Sequence, residues 1–343
     1  MSAHRSKKRS QTESPHLPLV EPVRPTNAPS GRTVVLGTGA LGRAVARRLL
    51  AAGRSVRMVN RSARMADQPA GVELYGARLE NPTRAAELLA GADTVFLCLG
   101  TAYHRFAEDW PPLLQSVLTA AEQHHLRVIA SDSVYLYGDT DGRPMTEESP
   151  ATAVTRKGVV RTRLDRMLWD VHARGKARVA VVRGADFYGP WVRQSLLGER
   201  VFARLLAGQP MQVLGNPDLV HSYTYIDDMA GAMVRLAEDD LGLGKAWHAP
   251  TVTAVTTRQL LERAARLTQQ PARVAPMSRL MLRLGGLFAP EVRELLEMGY
   301  LVEKPFVVDS ENFSRTFGIA PTPFDIGLAE TVSWYRSAAK ESS

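Results

Sequence analysis

Between Thr33 and Gly184 the chain alternates short apolar runs with longer stretches whose apolar residues recur every three or four positions. TVVLG (33–37) predicts a buried strand. Leu41, Val45, Leu49 and Leu50 then fall at helical spacing, and Gly53 supplies a stop. SVRMVN (55–60), VELYGA (72–77), TVFLCLG (94–100), RVIAS (127–131) and ARVAVVRG (177–184) predict further strands. Asn81-Pro82 predicts a helix start, with Asn81 as cap and Pro82 in the first position. Further helices are predicted near 110–125 and over about 153–173, the latter with Val159, Val160, Leu164 and Leu168 on one apolar side. Strands alternating with helices in this way imply an α/β fold, a doubly wound parallel sheet with helices on both faces.

After Pro190 the rhythm loosens. Helices are predicted near 196–208, 227–238, 257–268 and 278–298, separated by the short strands MQVL, YTYI and AWHA. This pattern predicts a smaller mixed C-terminal domain over 191–343, with 210–250 contributing to the main sheet of 31–190. Residues 1–30, rich in Pro, Ser and basic side chains without periodicity, read as a disordered tail.

Composition narrows the function classes. With 343 residues and 45% hydrophobic positions the chain can bury a substantial core. The net charge of +8 is dispersed outside the tail, and no helix-turn-helix, zinc or aromatic ribonucleoprotein signature accompanies it, so no nucleic-acid partner is expected. The single cysteine, Cys98, excludes an internal disulfide and a Cys-rich zinc site, which fits a reducing, cytoplasmic setting. No apolar run approaches the ~18 residues of a membrane span, and no apolar stretch follows the basic N-terminus as in a secretory signal.

The first chemistry-bearing motif is GTGALG: Gly37, Thr38, Gly39, Ala40, Leu41 and Gly42. Gly-x-Gly-x-x-Gly alone is a weak signal, but here it follows a strand and opens a helix. Gly37 permits the tight turn, Gly39 lets the backbone approach a pyrophosphate, and Gly42 lets helix and strand pack closely. The helix N-terminus favours the anion. This is the Rossmann-type arrangement for a nicotinamide dinucleotide. An acidic residue ending the second strand would bind the ribose 2′-hydroxyl of NAD; the chain has Asn60 and Arg61 instead, with Arg64 near and Arg43 after the third glycine. Guanidinium groups suit a 2′-phosphate, so NADP is preferred over NAD, each arginine alone being equally readable as a solvated cation.

Several stretches in order resemble the extended short-chain dehydrogenase/reductases, the NAD-dependent epimerase/dehydratase group, over about residues 33–338. GTGALG resembles that family's glycine motif, SDSVYLYG (131–138) its Ser-bearing strand end, and EESP (147–150) the segment before its catalytic helix. VVRGADFYGP (181–190) resembles its Arg-to-Tyr-Gly-Pro loop, YTYIDDMAGAM (223–233) its Asp-Asp helix start, and SRTFGIAPTP to ETVSWYR (314–336) its closing helices. The resemblance implies an oxidoreductase or epimerase/dehydratase-like enzyme acting on a hydroxyl- or carbonyl-bearing small molecule, with a substrate-binding C-terminal region and a homodimer paired through the catalytic helix. It implies a tyrosine as general acid/base, a lysine four residues later that lowers the tyrosine pKa and holds the nicotinamide ribose, and a serine that orients the substrate oxygen. Leu99 and Gly100 stand where the family's fourth strand meets the cofactor, and Asp186 and Tyr188 where it lines the substrate cleft; His221 is a separate cleft candidate.

The catalytic helix departs from that pattern. Ser133 occupies the serine position, but the tyrosine position holds Lys157 and the lysine position Arg161. Three readings stay open: Arg161 holds the ribose side while Tyr135, Tyr137 or Lys157 moves the proton; the protein is a catalytically silent NADP-binding sensor or scaffold; or the stretch is a basic helix face. Arg78, near the third strand's end, leaves the adenine contact undefined.

Other residues have plainer readings. His124-His125 lacks a partner at ligand spacing, so no metal is expected. Cys98 reads as core, Trp110 as packing at a helix start, and Asp227-Asp228 as a helix N-cap. Trp191 and Tyr223 are further cleft candidates.

Overall fold

A computed structural model gives the structure of residues 31–101, 105–277 and 299–341. The predicted tail 1–30 and the helix predicted near 278–298 lie outside the described residues.

The chain begins with β1 (Arg32–Leu36), α1 (Ala40–Ala51), β2 (Val56–Asn60), β3 (Val72–Gly76), α2 (Pro82–Leu89) and β4 (Ala92–Leu97). It continues through α3 (Phe106–Gln123), β5 (Arg127–Ser133), a 3-10 turn (Val134–Tyr137), α4 (Arg156–Ala173) and β6 (Arg178–Gly184). Then come β7 (Asp186–Tyr188), α5 (Glu199–Leu206), β8 (Met211–Leu214), β9 (Val220–His221), β10 (Tyr223–Tyr225), α6 (Ile226–Glu238) and β11 (Ala246–His248). The last part holds β12 (Val255–Thr256), α7 (Thr257–Thr268), β13 (Val274–Met277), the short helices Tyr300–Glu303 and Glu311–Phe317, and the terminal helix Phe324–Glu341.

Seven strands form one sheet in the order β11-β6-β5-β4-β1-β2-β3, and every pairing in it is parallel. Its central strands are apolar at consecutive positions because both faces are covered. Val34 and Leu36 of β1 join a core with α2, α3 and α4 through Leu88, Leu114 and Leu164. Val35, on the opposite face, joins α1 and α6 through Val45 and Met233. The period-two alternation of the strand thus assigns each side chain to one of two layers.

Helix ends follow local chemistry. The Asn81 side chain accepts from the Arg84 amide and Pro82 occupies the first turn of α2. Thr155 caps α4 by accepting from the Gly158 amide. The buried stripe of α4 is Val160, Leu164, Leu168 and Val171; Val159 lies about 100° off it and is 52% exposed, against expectation. Asp227 and Asp228 do not cap α6, whose N-cap is Tyr225. They lie in its first turn, where Asp227 pairs with Arg48 of α1 at 2.6 Å and Asp228 accepts from the Thr322 amide and hydroxyl. The α3 helix starts at Phe106, earlier than predicted, with Pro111 and Pro112 inside it.

Beyond β6 the chain crosses repeatedly between the sheet and a second apolar core. That core is built by α5, β8, β10, α7 and the terminal helix around Phe202, Met211, Leu260 and Val332. The chain returns to the sheet through α6 and β11, leaves again at β12, and comes back with Glu311–Phe317, whose Phe313 packs edge-on against Trp247 of β11. Among the described residues no helix is long and apolar enough to cross a membrane.

Candidate functional site

Sheet order reverses between β1 and β4, so the loops leaving their carboxyl ends diverge and open a crevice. The glycine turn sits there. Gly37 has φ +108°, and a Cβ on it would lie 2.2 Å from the Cys98 carbonyl oxygen, so the loop passes the backbone after β4 only as glycine. A Cβ on Gly42 would lie 2.1 Å from the Gly37 carbonyl oxygen, which fixes how closely α1 approaches β1. Gly39 differs: no heavy atom lies within 4 Å of its Cβ position. It is the exposed N-cap of α1, and no side chain caps the helix. The first amides of α1 thus lack side-chain partners next to open space, which fits a pyrophosphate. Beyond β4, Leu99 is half-buried and Gly100 exposed, with nothing within 4 Å of the Gly100 Cβ position.

Asn60, at the end of β2, is turned to its own loop. Its Nδ2 donates to Thr38 Oγ1 at 3.0 Å and to the Arg64 carbonyl at 2.9 Å, and its Oδ1 accepts from the Ser62 amide. Arg61 and Arg64 are exposed on that loop. Arg43 is not a solvated cation, being 8% exposed. Its Nε donates to the Thr38 carbonyl, its Nη1 to the Asp67 carbonyl, and its guanidinium lies 3.8 Å from the centroid of the Trp191 ring. Trp191 in turn packs against Trp334 of the terminal helix. Burial lowers the Arg43 pKa, opposed by Asp67.

A cleft of about 940 Å³ opens beside the carboxyl ends of β5 and β6. Ser133, Tyr135, Lys157, Arg161 and Asp186 form a buried to half-buried part of its wall, and Arg193, Arg200 and Arg204 line it too, the first two exposed. The sheet brings the more buried residues together: Ser133 of β5 pairs in register with Gly184 of β6, so Tyr135 and Asp186 emerge from neighbouring strands. Gly158 lets α4 join them, since a Cβ there would lie 2.9 Å from the Tyr135 carbonyl oxygen. Lys157, in the first turn of α4, is carried to the cleft wall and is 3% exposed. The Ser133 hydroxyl oxygen is buried with no hydrogen-bond partner among the described residues.

Asp186 and His221 form a buried pair, 2.7 Å between Oδ2 and Nε2. Tyr135 donates its hydroxyl to the other carboxylate oxygen, Oδ1, at 3.1 Å. The His221 ring is held between Tyr223 and Phe306, each with its centroid 4.6 Å away. Tyr223 does not line this cleft; its hydroxyl is buried against Thr257.

Arg161 is committed elsewhere than expected. Its Nη1 makes an ion pair with Asp132 Oδ1 at 2.9 Å, and its guanidinium lies over the rings of Phe106 and Trp110. Burial raises the Asp132 pKa, against the opposing pull of Arg161 and Arg183. Asp132 lies inside the stretch SDSVYLYG but is not singled out by it, since the polar strand end Ser131-Asp132-Ser133 does not say which side chain meets a cation.

Tyr137 does not reach the cleft. It is 1% exposed, its hydroxyl donates to His248 Nε2 at 2.9 Å, and it accepts from Arg183 Nη1 at 2.8 Å. Burial raises its pKa. Tyr188, expected as a substrate contact, is fully buried between the rings of Tyr225 and Phe324, and burial pushes its phenol up strongly. Cys98 is buried, with its thiol pushed up by burial, and His124 Nε2 meets the Ala86 carbonyl. Among the described residues no group of three or more His, Cys, Asp or Glu could hold a metal.

A family model described as the NAD dependent epimerase/dehydratase family matches residues 33–247. The fold is similar to that of UDP-glucose 4-epimerase from the hyperthermophilic eubacterium Thermotoga maritima, solved with UDP-glucose. That match has TM-score 0.74 and 18% identity, covering 90% of this chain and 99% of that one. It is also similar to a dTDP-glucose 4,6-dehydratase from Streptomyces venezuelae solved with NAD (TM-score 0.75, 19% identity, 90% and 98% covered). A third similar structure is UDP-glucuronic acid 4-epimerase from Bacillus cereus, in complex with UDP-glucuronic acid and NAD (TM-score 0.73, 16% identity, 90% and 99% covered). Comparison with curated proteins gives no match.

Proposed function

The chain belongs to the NAD dependent epimerase/dehydratase family, and from that premise we propose that it binds a nicotinamide dinucleotide at the glycine turn and oxidises, reduces or epimerises a hydroxyl- or carbonyl-bearing small molecule in the neighbouring cleft. One observation carries this reading. The uncapped start of α1 at Gly39, with open space at the Gly39 Cβ position, and the cleft bearing Ser133, Tyr135 and Lys157 lie at the carboxyl edge of the same parallel sheet. When bound, a nicotinamide supplies hydride donation and acceptance. The residues of the chain hold and orient. Gly37, Gly39 and Gly42 with Thr38, Ala40 and Leu41 receive the pyrophosphate, Leu99 and Gly100 flank the dinucleotide, and Ser133 hydrogen-bonds the substrate oxygen.

We assign NADP over NAD. The end of β2 offers Asn60 rather than an acid, and Arg61 and Arg64 stand exposed on the following loop, where a 2′-phosphate would be met. The substrate class is a hydroxylated molecule carrying a phosphate-type anion. Arg193, Arg200 and Arg204 supply cations along the wall of the cleft. Sugar nucleotides, present in the two epimerase structures named above, satisfy both requirements.

A second reading, a silent dinucleotide-binding sensor, draws on the Asp132–Arg161 pair, which takes up the cation at the position where the family resemblance implies a ribose-holding lysine. Thermal-shift titration with NAD⁺, NADP⁺, NADH and NADPH tests what the two readings share. Stabilisation by the NADP pair above the NAD pair is expected, and no stabilisation by any of the four sinks both. Turnover of UDP-glucose or dTDP-glucose separates them.

A further inference from the structure

From the wall of the cleft a chain of three side chains, which no Tyr-x-x-x-Lys pattern contains, runs into the protein. Tyr135 Oη donates to Asp186 Oδ1 at 3.1 Å, and Asp186 Oδ2 meets His221 Nε2 at 2.7 Å. Asp186 is 8% exposed and His221 4% exposed. A carboxylate so removed from water is costly unless donors hold it. The fold supplies them from three separate elements. Tyr135 comes from the turn after β5 and Asp186 from β7, while β10 pairs Tyr223 with Asp186 and so brings the preceding β9 residue, His221, alongside. Rings on both sides of His221 prevent it from turning away. Tyr135 and Asp186 face the same cleft as Ser133, whose buried hydroxyl oxygen has no hydrogen-bond partner among the described residues.

We propose that Tyr135, Asp186 and His221 form the proton-handling array of this cleft, in place of the tyrosine–lysine pair absent from α4. This rests on the dinucleotide-dependent reading above. The ground-state direction of the Tyr135 hydrogen bond sets the chemistry: the hydroxyl points its hydrogen at Asp186, so its oxygen is prepared to receive one. As a substrate hydroxyl is oxidised, the hydride on its carbon goes to the nicotinamide of the bound dinucleotide, while its hydroxyl hydrogen passes to Tyr135 Oη and the Tyr135 hydrogen passes to Asp186 Oδ1. The O–H bond of the substrate breaks, one O–H bond forms on Asp186, and Tyr135 ends as it began. Asp186 holds the hydrogen on Oδ1, and His221 Nε2, 2.7 Å from Oδ2, keeps the carboxyl oriented throughout. In the reducing direction the same two hydrogens retrace their path, so an epimerisation returns the proton it borrowed. Tyr135 is the catalytic residue here, touching substrate; Asp186 is the base behind it and His221 a positioning residue.

The test uses the full chain with UDP-glucose, dTDP-glucose and UDP-glucuronate as probes, each with NAD⁺ and with NADP⁺. Dinucleotide reduction and chromatographed product are the readouts. Tyr135→Phe is expected to lower kcat at least ~100-fold with KM within threefold, the usual scale of general acid–base catalysis, while the dinucleotide thermal shift persists. The wild-type proton inventory in mixed H₂O and D₂O is expected to bow, as for two hydrogens moving together, and to become linear in Asp186→Asn. This second readout decides the matter if Tyr135→Phe fails to fold, because a purely structural Asp186 would leave the curvature unchanged. Wild-type turnover with activity within threefold of it in Tyr135→Phe, or lost only in Lys157→Gln, overturns the array and leaves the dinucleotide reading standing. No wild-type turnover of any probe, despite a dinucleotide thermal shift, overturns the enzymatic reading and the array with it.

Discussion

Arg161 Nη1 stands 2.9 Å from Asp132 Oδ1, closing a cation of α4 onto a buried carboxylate at the end of β5. Two desolvated charges that complete each other tolerate loss of one partner poorly. Arg161→Met is expected to cost about 3 kcal/mol in urea unfolding, because it leaves buried Asp132 facing only the more distant cation of Arg183, at 4.0 Å. Adding Asp132→Asn is expected to recover part of that loss. A double variant whose cost equals the sum of the single ones would show that the two groups do not interact.

The three glycines of the turn make separable demands. Gly37→Ala places a Cβ against the Cys98 carbonyl in a backbone conformation side chains avoid, and is expected to lower stability by at least about 2 kcal/mol. The Cβ of Gly39→Val meets no heavy atom within 4 Å, and the variant is expected to melt like the wild type. It should instead abolish the dinucleotide thermal shift, because the added side chain occupies the space assigned to the pyrophosphate. Wild-type dinucleotide stabilisation in Gly39→Val would remove the turn from the binding site.

Arg61→Asp is expected to move dinucleotide preference from NADP towards NAD by at least tenfold in relative affinity, with unchanged melting in the absence of ligand, since Arg61 is exposed. Titration calorimetry with both oxidised dinucleotides reads the ratio. An unchanged ratio would take Arg61 out of the site.

His248 makes stability pH-dependent. The Asp309 carbonyl can only accept, so Nδ1 carries the hydrogen, and Nε2 accepts from Tyr137. Burial lowers the pKa of this neutral ring, against the opposing charge of Glu147. In the unfolded chain the same histidine binds a proton near ~6.5. Between that value and the lower folded one the unfolded state holds more protons, so the stabilisation is complete above ~6.5 and is lost as pH falls through the folded pKa. Urea midpoints should therefore drop from pH 7 towards pH 5, and His248→Gln should make that slope shallower. Identical slopes would assign the loss to other groups.

The sheet was legible because its signals are local. The alternation of Val34, Val35 and Leu36, the Asn81-Pro82 start and the glycine turn each sit within a few residues of their consequence. The site was less legible because its partners are distant in sequence. Nothing near Arg161 announces Asp132, and nothing near Tyr135 announces His221, which arrives from β9 beyond an intervening lobe. Tyr137 and Tyr188 carry the right chemistry at motif positions, yet packing turns both into the interior. Val159 misses the buried stripe of α4 by one position, the smallest error a helical period can produce. The cations Arg193, Arg200 and Arg204 of the cleft wall became visible only when α5 and the loop before it were placed together.

The repeated crossings beyond β6 also have a mechanical consequence. The chain joins sheet and second core through β7, through α6, and through the segment ending in Glu311–Phe317, while the terminal helix braces α5 and α7. A door hung on one side swings; one fastened along several edges does not. Opening this cleft as a rigid jaw would require all of these crossings to bend together. Any yielding is then left to exposed side chains on its wall, where Arg193 and Glu199 face each other at 3.2 Å and the Arg193 guanidinium rests 5.2 Å from the Trp334 ring.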